Sequence, residues 1–200
     1  MAHSVSRERT SSLIRLTLSL LFIMSLTVDL YSSDLSDART LRERCEKESA
    51  EVQVPVKNFG DQADMDEFNR GMQMIKLGKV KFLQSKYLDA SESFNKYLLL
   101  QQALYKSLAK KYLERTEKML DDIAVELIDS SNPKIEEYLR LANQNFKDAS
   151  KEKTAERYKN SIKLCRMAKN YALSCYKAAG RSVPDQYKND LIDIDNKMIK

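Results

Sequence analysis

The composition of this 200-residue chain favours a helical protein. Charged residues make up 32% and hydrophobic residues 42%, while Gly and Pro together number seven, which favours long solvated helices over a turn-rich sheet. The 34 bases and 29 acids are mixed along the sequence, so the net charge of +5 does not form the polybasic tail of a nucleic-acid-binding protein.

Residues 1–33 are predicted to be a signal peptide. Three arginines precede an uncharged apolar stretch that runs from Leu16 to Val28 and ends at Asp29. A helix of that length rises about 20 Å, short of a hydrocarbon core of about 30 Å, so a cleaved segment fits better than a permanent span. We therefore expect a periplasmic or secreted protein, with an uncleaved membrane anchor as the alternative.

The residues after the leader lack the usual components of a catalytic site. His3 is the only histidine, so the mature chain could form neither a Ser-His-Asp or Cys-His system nor a histidine-ligated metal site. The glycines are scattered singly and form no phosphate-binding loop. The adjacent carboxylates at 121–122 and 136–137 would point in different directions on a helix. We expect no enzymatic activity, no cofactor and no metal.

The three cysteines leave their pairing open. Cys165 and Cys175 are ten positions apart on one predicted helix, about 15 Å along its axis, whereas a disulfide needs Cα atoms within about 7 Å. Either could pair with Cys45 if the N-terminal segment folds back, or all three could be free thiols. The favoured interpretation is that Cys165 and Cys175 are small buried hydrophobic residues.

The mature chain divides into two parts. Residues 34–60 are predicted to be an extended linker or arm, because the segment 52–56 (VQVPV) carries β-branched residues and a proline without helical periodicity. Residues 61–200 are predicted to be a helical domain. No Gly or Pro occurs between Gly78 and Pro133, so the helix boundaries in that stretch are hard to place.

Apolar stripes at helical spacing predict the core of the helical domain. A helix ending near residues 129–131 offers Leu104, Leu108, Tyr112, Leu120, Ile123 and Leu127. The next begins with Asn132 as N-cap and Pro133 in its first turn, and offers Ile135, Leu139, Ala142, Phe146 and Ala149.

Two further helices are predicted to pack on these. One runs from about Thr154 to Gly180 and buries Tyr158, Ile162, Cys165, Ala168, Ala172, Cys175 and Ala179. A last helix beginning at Pro184 adds Tyr187, Leu191, Ile194 and Met198.

The segment 71–102 resembles one tetratricopeptide unit. The matching positions are Met74, Leu77, Gly78, Tyr87, Ala90 and Phe94. Met74, Lys81 and Gln102 replace the family's aromatic, tyrosine and proline. A weaker echo follows at Leu141, Ala142, Phe146 and Tyr158, which repeats positions 77, 78, 82 and 94 at an offset of 64. The resemblance implies antiparallel helical hairpins in a short array; because 64 is not twice 34, an irregular bundle is favoured.

The overall character is also similar to that of periplasmic helical proteins of spirochaetes, including flagellar coiling and sheath proteins. This likeness implies assembly on a periplasmic flagellar filament. Our hypothesis is a non-enzymatic protein-binding or structural scaffold in the bacterial periplasm, with an acidic or filamentous protein partner. The alternative is a helical small-ligand carrier or an enzyme of the envelope.

A local excess of positive charge gives the candidate partner-binding site. Seven bases and no acid occur from Arg157 to Arg181. We define the basic ridge as Arg157, Lys159, Lys163, Arg166, Lys169, Tyr171, Tyr176 and Lys177. It is interpreted either as a docking surface for an acidic partner or anionic envelope surface, or as a solvated face balanced by acids such as Glu136, Glu137 and Asp148.

The signal peptide yields the first testable prediction. If the leader is removed on export, N-terminal sequencing of the native protein should find a chain that starts near Ser32 or Ser33. Recovery of a chain starting at Met1 or Ala2 would contradict cleavage.

Overall fold

The chain forms six helices in a computed structural model that describes residues 33–127 and 132–195. They are α1 (residues 33–59), α2 (Gln62–Leu83), α3 (Tyr87–Glu126), α4 (Pro133–Thr154), α5 (Tyr158–Ala178) and α6 (Lys188–Asp195), with a 3₁₀ turn at Asp185–Tyr187. No strand occurs in these ranges, which confirms the predicted all-α bundle. No helix within them is long and apolar enough to cross a membrane. The predicted leader, apart from Ser33, lies outside the described residues.

The prediction of an extended arm at residues 34–60 is wrong, because nearly all of this segment is helix α1. Its buried face carries Ala38, Cys45 and Val52 at a spacing of seven, and the partly buried Phe59 continues the series. Two of these side chains are small, so the stripe has little hydrophobic contrast in the sequence. The spacing of seven fits a helix, but with so little contrast it did not reveal one without the tertiary structure.

A proline lies inside the last two turns of α1. Pro55 has no N–H to donate to the carbonyl of Glu51, so one helical hydrogen bond is lost there. Val52 and Val56, on either side of it, are fully buried in a core shared with α3 and α5. We infer that this burial offsets the local cost of the proline.

The two hairpins, α2–α3 and α4–α5, turn in the same way. Ser85 and Glu156 both adopt a left-handed backbone conformation, with φ of 59° and 57°. The following N–H groups, of Lys86 and Arg157, donate to the carbonyls of Lys81 and Glu152, at 3.0 and 2.9 Å. This pattern is a Schellman-type helix end.

These hairpins are repeats of one structural unit. Three boundaries of the first hairpin recur 71 positions later in the second. Helices α2 and α4 begin at Gln62 and Pro133 and end at Leu83 and Thr154, and helices α3 and α5 begin at Tyr87 and Tyr158. Asp61 and Asn132, which have the same separation, are both N-caps whose side chains accept a backbone hydrogen bond. The predicted cap at Asn132 is thus confirmed.

The repeat also relates α1 to the second half of α3. Four pairs with this separation are buried in both places: Ala38 and Ala109, Cys45 and Thr116, Val52 and Ile123, and Val56 and Leu127. We call residues 33–103 the first unit and residues 104–174 the second unit. The 40-residue helix α3, about 60 Å long, ends one unit and begins the next.

The internal echo in the sequence has a different register from this structural repeat. The echo paired Ala142 with Gly78, whereas the structural repeat pairs Ala142 with Gly71 and Ala149 with Gly78. The two registers differ by seven positions, or about two helical turns, and such a slip keeps the same helix face aligned.

The predicted apolar stripes form the core. All six stripe residues on α3 are buried, as are Ile135, Ala142 and Ala149 on α4. The stripe on α5 is buried apart from the partly buried Ala179, although α5 begins at Tyr158 and not near Thr154. Gly180, with φ of +67°, follows its end as predicted.

The predicted core positions of the C-terminal helix are buried only in part. Tyr187 is buried and Ile194 partly buried, but Leu191 is exposed, so its predicted core position is wrong; Met198 lies outside the described residues. All three cysteines are free and buried.

Small residues let α2 and α3 approach closely. A Cβ atom added at Gly78 would lie 2.5 Å from the ring of Phe94, and one at Gly71 would lie 3.0 Å from the ring of Tyr97. Both rings are almost fully buried, so they have little freedom to move aside. The same positions in α4 carry Ala142 and Ala149, both fully buried.

The substitution Gly78→Leu tests this close approach. We expect it to lower the free energy of unfolding by about 1–3 kcal/mol through overpacking against Phe94, although leucine is the better helix former. Equilibrium urea unfolding would measure the loss, with Gln73→Leu on the exposed face of α2 as the matched control. An unchanged or raised stability of Gly78→Leu would contradict the tight contact.

Candidate functional site

The basic ridge does not form one exposed surface. Lys163 and Lys177 are exposed, but Lys169 is fully buried and Arg166 nearly so. Tyr176 is also buried. The prediction of a continuous docking ridge is therefore wrong.

The remaining ridge residues are held by neighbouring groups. Arg157 forms two hydrogen bonds of 2.6 Å with the carboxylate of Glu152. Lys159 is paired with Glu48, at 2.9 Å, and with Glu51 of α1. Tyr171 is half-buried, and its ring centroid lies 6.4 Å from that of Tyr138.

The acids that balance the ridge are not the ones expected. Glu136, Glu137 and Asp148 were the predicted partners, but Asp148 pairs with Lys151 of its own helix. The partners come instead from α1, from the end of α4 and from α6. Of these three helices only α1 is distant from α5 in sequence, since α4 and α6 are its neighbours along the chain.

A cluster of buried charges joins α6 to α3 and α5. Lys169 Nζ lies 2.9 Å from Asp190 Oδ1 and 2.9 Å from Asp193 Oδ2. Arg115 donates to Asp190 from Nε, at 2.9 Å, and from Nη2, at 2.6 Å. Arg166 Nε lies 3.3 Å from Asp193 Oδ1. We call these five residues the Lys169 cluster.

Aromatic rings and a phenol complete the surroundings of this cluster. Lys169 Nζ lies 4.2 Å from the ring centroid of Phe59 and 4.4 Å from that of Tyr112. The Tyr112 hydroxyl donates to Asp193 Oδ1 at 2.6 Å. Burial, followed by the nearby charge of Asp193, raises the pKa of Tyr112 well above its ordinary value. Tyr112 thus stays protonated and keeps its role as donor.

The cluster fixes the position of the C-terminal helix. Asp190 and Asp193 are fully buried, and a buried carboxylate is tolerated only when it is paired and hydrogen-bonded. The sequence contained a signal for this arrangement, because the two aspartates are three apart and share a face of α6. We interpret the cluster as structural.

A surface cleft of about 420 Å³ lies between α1, α3 and the start of α5. We call it the α1–α5 cleft. Its lining includes Arg44 and Glu48 of α1, Gln101 and Tyr105 of α3, and residues 156–160.

Hydrogen bonds hold the walls of the α1–α5 cleft in place. The Tyr105 hydroxyl donates to Glu48 Oε2 at 2.9 Å, and Gln101 Nε2 donates to the Glu48 carbonyl at 3.1 Å. Gln101 Oε1 in turn accepts from the Tyr97 hydroxyl at 2.5 Å. These bonds join the α1 and α3 walls of the cleft to each other.

Exposed apolar side chains are concentrated on the α2–α3 hairpin. We use the name apolar surface for seven exposed residues of this hairpin: Met65, Met72, Leu77, Val80, Leu83, Leu88 and Leu99. Leu83 is 83% exposed and Leu88 is 69% exposed, and these two residues flank the hairpin turn. Several exposed apolar side chains on one hairpin are the kind of feature that marks an interaction site.

The three cysteines of the described residues are buried thiols. Burial raises the pKa of Cys45 and Cys165 to about 12 and that of Cys175 to about 11, so these groups stay thiols at neutral pH. Within residues 33–127 and 132–195, no group of three His, Cys, Asp or Glu side chains is placed to hold a metal ion.

Comparison of the chain with protein-family models, curated proteins and solved structures finds no match. Two candidate sites follow from the structure alone. They are the α1–α5 cleft and the apolar surface.

The Lys169 cluster yields a stability prediction. We expect Lys169→Met to lower the free energy of unfolding by about 3–5 kcal/mol, because Asp190 and Asp193 would stay buried with one compensating cation fewer. Urea unfolding would measure this loss. Lys163→Met, which removes an exposed lysine of the same helix, should change stability by less than about 0.5 kcal/mol. Equal stabilities of the two variants would contradict a structural role for Lys169.

Proposed function

We propose that this chain is an exported, non-enzymatic helical module that binds a protein partner through the apolar surface of its first unit. The observation that carries the proposal is the contrast between this surface and the same positions of the second unit. Both units have the same helices and turns, so any side chain that the unit needs for folding should have a similar counterpart at the matching position of the other unit.

Every residue of the apolar surface has a polar counterpart in the second unit. The seven counterparts, in the same order, are Glu136, Asn143, Asp148, Lys151, Thr154, Lys159 and Asn170. The repeated fold therefore does not require apolar side chains at these positions. Keeping seven of them exposed to water has a solubility cost that binding a partner would offset.

The position of the apolar surface also suits a docking role. Leu83 and Leu88 lie at the tip of the hairpin, and Asp34 of α1 shares a surface cleft with residues 85–89. The start of α1 and the turn between α2 and α3 therefore form one end of the first unit. A protein partner could contact this end without disturbing the core.

Export and the partner's nature are inferred from the sequence. The basic, apolar leader supports a periplasmic or secreted location. The tetratricopeptide-like segment 71–102 supports partner binding by a helical hairpin. The likeness to spirochaete flagellar coiling and sheath proteins supports a filamentous partner as one identity to test.

The alternative of a small-ligand carrier or an envelope enzyme has less support. A carrier usually encloses its ligand, whereas the α1–α5 cleft is open to solvent. The buried thiols are protonated at neutral pH, which argues against a cysteine nucleophile.

The double substitution Leu83→Asp/Leu88→Asp tests the apolar surface. We expect the wild-type chain to capture a specific partner from its native envelope fraction, and the double variant to lose at least tenfold of that partner. Val125→Asp is the control, because Val125 is 75% exposed at the other end of α3. It should retain the partner, and circular dichroism should show full helicity in both variants.

Two results would contradict the proposal. Equal capture by the wild-type chain and the double variant would show that the apolar surface does not bind the partner. If the wild-type chain sediments as a dimer and the double variant as a monomer, the apolar surface instead mediates contacts between two copies of this chain.

A further inference from the structure

We propose that the α1–α5 cleft binds a carboxylate-bearing peptide segment of a partner protein, as the equivalent groove of the second unit binds the chain's own C-terminal segment. This site is separate from the apolar surface, so the proposal goes beyond the proposed function and can be tested apart from it. Two features support it: the structural repeat, and the exposed guanidinium of Arg44, which has no ion pair among the described residues.

The walls of the cleft recur in the second half of the chain, where they are covered. The cleft residues on α1 and α3 include Arg44, Leu98 and Tyr105. Their counterparts in the repeat are Arg115, Lys169 and Tyr176, and all three lie where the segment 185–193 packs. The same groove is thus occupied by a peptide segment in one unit and open in the other.

The occupied groove shows what such a site recognises. Arg115 binds the carboxylate of Asp190 through two nitrogens and also donates to the Gln186 carbonyl at 2.5 Å. Tyr187 is buried in the same core cluster as Tyr176. The groove of the second unit therefore binds a carboxylate, a main-chain carbonyl and an aromatic ring, all from the segment 186–190.

In the open cleft, Arg44 is the counterpart of Arg115. Arg44 is exposed, and it makes no ion pair with any residue in the part of the chain that the structure describes. The other two bases of the cleft are already engaged, Arg157 by Glu152 and Lys159 by Glu48 and Glu51. Arg44 is thus placed to receive a carboxylate from outside the chain.

The remaining charges of the cleft restrict the class of ligand. Glu48 and Glu156 also line it, so a polyanion such as a nucleic acid would meet two like charges. A peptide that places a single carboxylate at Arg44, with any further acids outside the cleft, avoids that repulsion. The volume of about 420 Å³ accommodates a few side chains, and Tyr105 and Tyr158 offer contact area for an apolar or aromatic neighbour.

A labelled peptide with the sequence of residues 184–195 (PDQYKNDLIDID) serves as the probe, because this segment fills the equivalent groove. Fluorescence anisotropy with the full chain should show saturable binding. Arg44→Glu should raise the dissociation constant about ten- to a hundredfold, since it removes a charge-assisted hydrogen bond and adds a repulsive charge. A peptide with Asn in place of Asp190 and Asp193 should bind with a similar loss.

Two control variants of the chain define the site. Lys76→Glu makes the same charge change at an exposed position of α2 outside the cleft and should bind the peptide as the wild-type chain does. Leu83→Asp/Leu88→Asp should also bind it normally, which separates this site from the apolar surface.

Three results would overturn the proposal. One is the lack of saturable binding. Another is equal affinity of Arg44→Glu and the wild-type chain. That result is expected if the peptide replaces α6 in the groove of the second unit and does not contact Arg44. The third is weakened binding in Leu83→Asp/Leu88→Asp, which would assign the peptide to the apolar surface.

Discussion

The full burial of one ammonium group, that of Lys169, constrains how the helices of the second unit are arranged. Its charge is compensated by Asp190 and Asp193 of α6, and its ammonium group lies over the rings of Phe59, at the end of α1, and Tyr112 of α3. Four helices therefore meet around one side chain. Because an unpaired buried charge is very costly, α6 cannot leave this position without exposing or stranding the lysine. The charge cluster thus sets the C-terminal end of the bundle, as close apolar packing sets the N-terminal end.

The repeat explains why the two ends differ. Each unit presents a groove between its first and third helices, and in the second unit the segment from Asp185 onward fills that groove. In the first unit the start of α5 covers only part of it and leaves the α1–α5 cleft. The short helix α6 covers the groove of the second unit with two buried aspartates, while its Leu191 and Ile192 stay exposed.

The functional differences that we propose between the units follow from side chains and not from backbone geometry. The hairpins share the length of their first helix, its side-chain N-cap and the turn that follows, yet Leu83 and Leu88 of the first unit face solvent where Thr154 and Lys159 stand in the second. Arg44 and Arg115 also differ in their surroundings, because Arg44 is exposed whereas Arg115 is paired with the carboxylate of Asp190 from the same chain. A repeated scaffold can hold one copy of a site closed for stability while the other stays available for binding.

The sequence by itself determined the helical class, the apolar stripes from Leu104 onward, and the ends marked by Asn132 and Gly180. These features depend on contacts within one helix or on backbone chemistry at its ends, so a local pattern is sufficient to predict them. Only the tertiary structure decided that residues 34–60 are largely a helix, because its buried face combines small residues with a proline whose cost is offset by distant partners. It also decided the fate of the basic residues of α5. Whether a charged side chain is solvated or buried depends on which acids fold against it, and for Lys169 those acids lie 21 and 24 residues further along, beyond a turn.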